Sequence, residues 1–419
     1  MKLLFITYDF YPNFSANSFI INNLSQVLIE IGHEVDVLPL KPYSNDLNEE
    51  IWNDICIHRI TNTFDKKQVK EYLHKYQFAA AFQLLFTIFK DRFHHKEYLK
   101  RHWSYYPLKR FKDILQQRSF DVVINVCYPF ESCLPIMQYI EKYQKNFKWI
   151  IYMQDPFASN YYYLDKYQKE DLNDFQTKGF QMADKIIVTS AIMQEIKTEN
   201  SKVPLNKFKV LNFPIIKKIR RTLSYDDIVF HRHYVNCVYV GKFNKDTRNP
   251  KVLFHMFEML KREHIRLHII GEEKEKWIPY LTEEDSNIFF YGMKSKEVST
   301  NAELNANILI NIGNSVSNQL PSKILEYIST GKPIVNLYKV EDCPTLEYTL
   351  RYPYCFNIFE PSVDQRTLKK LQYFCIKYRN VNVNYRYIRK RYFDSTVDYV
   401  SYEFMNLCME MVNNNQQII

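Results

Sequence analysis

Short apolar runs alternate with segments of helical period along most of this chain. Residues 2–7 (KLLFIT) form a run of the kind expected for a central parallel strand. A loop follows at 8–18 (YDFYPNFSANS), then a helical pattern over 19–31 that Gly32 closes. Residues 33–38 (HEVDVL) alternate and predict a second strand, and 55–60 (ICIHRI) predict a third. Further strands are predicted at 120–126, 148–152, 184–190 and 208–211, giving a first sheet of six or seven strands. The charged stretch 214–234 has no clear period and reads as a linker. A second series then begins, with strands predicted at 235–240, 266–270, 288–291, 308–312 and 333–337. The chain has only seven glycines, and Gly241, Gly271, Gly292 and Gly313 stand directly behind four of these strands. Ligands bind open α/β sheets at the carboxyl ends of the strands. Residues 368–378 and 399–412 read as helices. The pattern predicts an α/β protein with two doubly wound parallel sheets, over 1–215 and 216–385, and a C-terminal helical segment over 386–419.

The most informative stretch is 318–335 (NQLPSKILEYISTGKPIV). Pro321 suits a first helical position and Gly331 a C-terminal stop, with Pro333 beyond it. Ile324, Leu325 and Ile328 fall on one face at about 100° per residue, and Lys323, Glu326, Tyr327 and Thr330 on the other. A helix N-terminus beside a lysine attracts phosphate, and a carboxylate one turn further in can accept two bonds from a ribose diol. Taken alone, the stretch also reads as an ordinary amphipathic helix with a solvated charge pair.

Composition narrows the classes. There are 56 Lys+Arg against 47 Asp+Glu, a net charge of +9. Between residues 65 and 118 stand thirteen Lys/Arg and five Asp/Glu, an excess of eight, interleaved with aromatics. Phe78, Phe82, Leu85, Phe86 and Phe89 form a stripe at helical spacing. Core packing under a solvated basic face accounts for most of that stripe. The functional reading is a surface that rests on an anionic bilayer or holds a lipid-linked acceptor. No nucleic-acid module motif is present. The eight cysteines form no Cys-x-x-Cys pair, so neither a metal site nor a disulfide framework is expected. The first ten residues do not read as a signal peptide, no window reaches the length of a membrane span, and a cytoplasmic protein is expected.

In this order and spacing, the segments resemble the retaining glycosyltransferases of family 4. The likeness is carried by KLLFITYDFYPNFSANS, ADKIIVTS, VYVGKFNKDTRNP, IRLHIIG, NIFFYG and PSKILEYISTGKPIV, and runs from residue 1 to about 360. It implies the GT-B architecture, with two Rossmann-like domains facing an interdomain cleft. The first domain would take the acceptor and carry the insertion at 62–118. The second would hold a nucleoside diphosphate sugar. Lys242 and Arg248 match the family's basic pair at the diphosphate, in swapped order. Gly271, Ser322 and Lys323 would line the donor site. Glu326 matches the second glutamate of the family's Glu-x7-Glu motif, and Asn318 stands where the first would be. The family's acceptor loop carries two adjacent glycines. Here Ser15, Ala16 and Asn17 occupy that loop. Gln154 and Asp155 stand where the family often has a histidine. Asp155 reads equally as a base for the acceptor hydroxyl and as an Asp-Pro turn residue.

The resemblance implies metal-independent transfer of a sugar with retention at the anomeric carbon, and the basic, aromatic insertion points to a lipid-linked or surface glycan as acceptor. No cofactor beyond the donor substrate is expected. The basic, aromatic insertion adds to the cytoplasmic expectation a peripheral association with the inner face of the membrane. Asn318, Gln154 and the absent glycine pair support an alternative, a catalytically degenerate nucleotide-sugar-binding partner of another transferase. A GT-B-like epimerase is a third reading.

Overall fold

The computed structural model describes residues 1–41, 46–60, 107–127, 129–164, 168–198, 202–222, 228–281 and 287–413. The chain divides into two compact units, residues 1–214 with 397–419, and residues 215–396.

The first unit is built on eight strands: β1 (Lys2–Ile6), β2 (Glu34–Leu38), β3 (Glu49–Trp52), β4 (Ile55–His58), β5 (Val122–Cys127), β6 (Lys148–Met153), β7 (Lys185–Val188) and β8 (Phe208–Val210). Their order in the sheet is β3-β4-β2-β1-β5-β6-β7-β8. Neighbours run parallel except β3 and β4, which form an antiparallel hairpin at the edge. β3 is missing from the sequence-based prediction because its EEIW reads as charged surface. Its signal is the two-residue turn at Asn53 and Asp54, both at positive φ, as hairpin turns require. The central strands β1, β5 and β6 are buried along nearly their whole length, as continuous apolar runs demand.

Helix Ala16–Glu30 follows β1. It starts before the apolar period does, because Ser15 and Ser18 close a reciprocal capping box over its first turn. Ala16 and Asn17, expected in a loop, are therefore its first helical residues. The final helix, Val397–Asn413, belongs to this unit and lies against Ala16–Glu30. Phe404 stacks on Phe5 of β1 with centroids 6.0 Å apart. The segment 386–419 is thus not one helical piece, since helix Tyr385–Arg391 belongs to the second unit.

Of the 62–118 insertion, helix Pro107–Gln117 is described, with Phe111 and Ile114 in the core of the first unit. The Phe78–Phe89 stripe and the basic residues up to 101 lie outside the described residues.

The second unit holds six strands: β9 (Val235–Val240), β10 (Ile265–Ile270), β11 (Ile288–Phe290), β12 (Ile308–Ile312), β13 (Ile334–Tyr338) and β14 (Cys355–Phe359). All pairs are parallel, in the order β11-β10-β9-β12-β13-β14. Counted by appearance this is 3-2-1-4-5-6, the Rossmann order, whose switch point lies between β9 and β12. Among the described residues no helix is long and apolar enough to cross a membrane.

Candidate functional site

The loops after β9 and β12 flank the switch point of the second sheet, and hydrogen bonds tie them together. Asn244 and Arg248 exchange backbone bonds of 3.1 and 2.9 Å, and the Asn244 side chain accepts from the Asp246 and Thr247 amides. This tight turn presents Arg248. Its Nε and Nη2 donate to Asn314 Oδ1, just past β12, at 3.2 and 2.8 Å. The Ser315 amide donates to the Thr247 carbonyl, and Ser315 Oγ to that of Asp246. The guanidinium is thus held on a buried amide, a fixed cation beside the strand ends.

Helix Lys323–Thr330 delivers the second set of groups. Gly331 ends it at φ +79°, and a Cβ there would collide with the Val383 carbonyl, so only glycine fits this stop. Ile324, Leu325 and Ile328 are buried, as the period predicts. Tyr327 is buried too, against the expectation that it faces outward. Its hydroxyl accepts the Val240 N–H at 2.8 Å and anchors the helix to the tip of β9. Ser322 precedes the helix and makes no side-chain cap.

Lys323 is not a bare cation. Its Nζ lies 2.6 Å from Glu303 Oε1 and 3.0 Å from Glu326 Oε2. Glu303, on helix Lys296–Asn305, is almost wholly buried and was not foreseen from the sequence. Lys296 also contacts Glu326 Oε2. Burial disfavours the charged form of Glu326, but Lys323 and Lys296 outweigh it and hold the carboxyl well below its ordinary range. Burial likewise opposes the charge on Lys323, and Glu303 and Glu326 overcome that. Both groups are therefore ionised at neutral pH.

Tyr239 marks where these elements meet. Burial raises its pKa, while Arg248 and Lys323 both pull it down. Its hydroxyl donates to the Lys242 carbonyl at 3.1 Å, and the Lys242 side chain is exposed. The structure thus gathers the Arg248 loop, the Lys242 backbone and the Lys323 helix at the tip of β9. Gly271 ends β10 at φ +111°, where a Cβ would lie 2.8 Å from the Gly241 carbonyl oxygen, so close packing of adjacent strand ends requires glycine there. Asn318 is half-buried in the segment leading to the helix.

The remaining predicted residues stand at the carboxyl end of the first sheet. Ser15 caps its helix and donates to Asp9 Oδ1 at 2.7 Å. Asn17 Nδ2 donates to Asp155 Oδ2 at 3.2 Å, which joins the candidate acceptor loop to the candidate base. Gln154 is buried, with neither amide atom hydrogen-bonded among the described residues.

Sequence reasoning missed Glu131. It lies in the turn Phe130–Cys133 after β5 and is 4% exposed. Tyr163 OH, beyond β6, donates to its Oε2 at 3.0 Å, and Phe130 stacks on Phe157 at 4.6 Å. These contacts fasten the segment that follows Asp155. Burial pushes the Glu131 carboxyl up to about 7, against its own backbone bond and the Tyr163 hydroxyl. Among the described residues no group of three or more His, Cys, Asp or Glu side chains is placed to hold a metal ion.

No family model matches the sequence, and no curated protein matches it significantly. Solved structures do match, over nearly the whole chain. Sucrose-phosphate synthase from Thermosynechococcus elongatus superposes with a TM-score of 0.65 at 13% identity, covering 99% of this chain and 100% of that one. The lipopolysaccharide outer core galactosyltransferase WaaB, in its apo form, gives 0.55 at 16%, covering 98% and 99%. A trehalose-6-phosphate protein from E. coli, solved bound with UDP-2-fluoro glucose, gives 0.58 at 9%, covering 97% and 99%. The fold is GT-B. In GT-B terms the second unit is the C-terminal Rossmann-like domain, and Arg248, Lys323 and Glu326 cluster at its switch point. The first unit is the N-terminal one, with Asn17 and Asp155 at its strand ends.

Proposed function

We propose that this chain is a glycosyltransferase that moves a sugar from a nucleoside diphosphate sugar to a hydroxyl of a lipid-linked or surface glycan. Transfer proceeds with retention and without a metal. The observation that carries the reading is the pair of cations at the switch point of the second sheet: Arg248 fixed on Asn314, and Lys323 at the head of the helix that Tyr327 anchors to the tip of β9. When the glycosidic C1–O bond breaks, its electron pair goes to the departing diphosphate. Fixed cations aimed at that charge stabilise the transition state without reorganising. Arg248 takes that role as the fixed cation; the exposed Lys242 joins it, as does Lys323 once it turns from the Glu303 and Glu326 carboxylates, with the amides of Ser322 and Lys323 adding donors. Glu326, already ionised, accepts from the ribose diol once Lys296 gives way. Asn318 bonds the sugar, and Gly271 lets the backbone approach it. In the first unit Asp155, held by Asn17, receives the acceptor proton as the new C1–O bond forms. The Ala16 and Asn17 amides offer a second helix N-terminus to an anion, while the Ser15 amide donates to Ser18 Oγ at 2.9 Å. The UDP-2-fluoro glucose bound by the E. coli neighbour supports a nucleotide-sugar donor here. The basic, aromatic run at 65–118 supports an acceptor at an anionic surface.

Calorimetric titration with a panel of nucleoside diphosphates tests the donor site. Glu326→Ala and Lys323→Ala each weaken binding by roughly 1–3 kcal/mol, the range for losing a charged hydrogen-bond partner. Wild-type affinity in both variants removes the assignment. The second reading, a degenerate binding partner of another transferase, is favoured by Asn318 and by the side chains at 15–17. It is separated by donor hydrolysis, because a degenerate partner binds the nucleotide sugar and leaves it intact.

A further inference from the structure

Positive charge is not confined to the 65–118 run. Between residues 365 and 391 the chain carries nine Lys/Arg and no Asp or Glu, and all nine are exposed. Helix Gln365–Tyr378 sorts them by face. Leu371, Phe374 and Cys375 pack into the core of the second unit. At about 100° per residue the opposite face carries Arg366, Lys369, Lys370, Tyr373 and Lys377, with Ile376 at its margin. Tyr373 is 61% exposed and Ile376 45%. Lys377 Nζ lies 5.1 Å from the centroid of the Tyr373 ring. Lys369, Lys370, Lys377 and Arg379 form no salt bridge among the described residues. The neighbouring acids are engaged elsewhere: Asp364 caps the helix through Thr367, and Glu263 accepts from Gln372 at 2.6 Å. The same sequence pattern recurs in helix Tyr385–Arg391, where Tyr387 stands 44% exposed and Arg386, Arg389 and Lys390 are exposed as well.

A face that carried charge alone would suit any polyanion. Exposed tyrosine and isoleucine interleaved with lysine suit a boundary where headgroup phosphates meet acyl chains, because both kinds of side chain then gain. We propose that the outer face of helix Gln365–Tyr378 docks on an anionic lipid bilayer. The inference rests neither on the donor site nor on the 65–118 run.

The test is sedimentation of the full chain with phosphatidylcholine vesicles, with and without 30% phosphatidylglycerol, at about 0.1 M salt, where the screening length is about 10 Å. The chain binds the anionic vesicles and not the neutral ones, and salt weakens binding. Each lysine near such a surface contributes roughly a fivefold gain, so Lys369→Ala, Lys370→Ala and Lys377→Ala together lower partitioning roughly a hundredfold. Tyr373→Ala with Ile376→Ala lowers it severalfold with the salt dependence unchanged. These side chains lie on the surface, and circular dichroism of each variant matching wild type confirms its fold. No binding to anionic vesicles overturns the proposal. So does wild-type binding by the triple lysine variant, which places the contact elsewhere on the chain. If polyglutamate displaces the vesicles and the Tyr373/Ile376 variant binds them like wild type, the partner is a soluble polyanion instead. Nucleotide titration of the same samples reads the donor site separately, so the two readings fail independently.

Discussion

Glu131→Gln isolates the effect of the buried carboxyl after β5. In the folded chain that group titrates at about 7, against an ordinary 4.5. Its folded pKa is raised, so its stabilising contribution is complete below 4.5 and is lost as pH rises through 7. At pH 8 the native state must hold an ionised carboxylate in a nearly dry aromatic setting. A gap of about 2.5 pKa units at 1.36 kcal/mol each puts the penalty on the order of 3 kcal/mol. Glutamine is neutral throughout, and its carbonyl oxygen can still accept from Tyr163. The variant therefore gains on wild type with rising pH, by up to about 3 kcal/mol between pH 4.5 and 8. Urea unfolding of both proteins at pH 5, 6, 7 and 8 measures it, read on the transition that the substitution moves, since two units need not unfold together. A difference between variant and wild type that stays constant from pH 5 to pH 8 refutes the argument. It would mean that Glu131 titrates in the native state as it does unfolded.

Tyr327→Phe leaves the Val240 amide without its acceptor and destabilises the second unit by roughly 1–3 kcal/mol in urea; an unchanged midpoint would show that water replaces the hydroxyl. Gly271→Ala forces a Cβ against the Gly241 carbonyl at positive φ and costs about 1–3 kcal/mol, read by thermal unfolding; full stability would show that the β9 and β10 ends can separate. Lys296→Ala removes a half-exposed competitor for Glu326 and tightens nucleotide binding by about 0.5–1 kcal/mol in calorimetry. Weaker binding would mean that Lys296 touches the ligand itself.

The second sheet is legible in the sequence because its strands are apolar runs ended by glycine. Gly241, Gly271 and Gly292 all adopt positive φ at those ends, which ties the spelling to the backbone. β14 was not legible. Its CFNIF is mostly half-buried at the sheet edge, so it shows neither a continuous apolar run nor a clean alternation. The pairing of Arg248 with Asn314 was hidden because it joins residues 66 apart through a loop bond with no periodic signature. Tyr327 was misassigned because helical spacing gives the angle of a side chain and not what lies opposite it. Here that is the tip of β9, which buries one more face than a surface helix would have. Glu303 and Glu131 were invisible for a related reason. Buried carboxylates look like surface ones until their partners, Lys323 and Tyr163, are placed beside them.

The closing helix has a consequence for assembly. Since Val397–Asn413 lies on Ala16–Glu30, the second unit is spliced into the first, and translation must run through all of it before the N-terminal fold gains its last piece. A chain cut after residue 396 keeps the whole second unit and still leaves an oily flank beside Phe5 uncovered. Truncation from the far end therefore damages the beginning of the protein first.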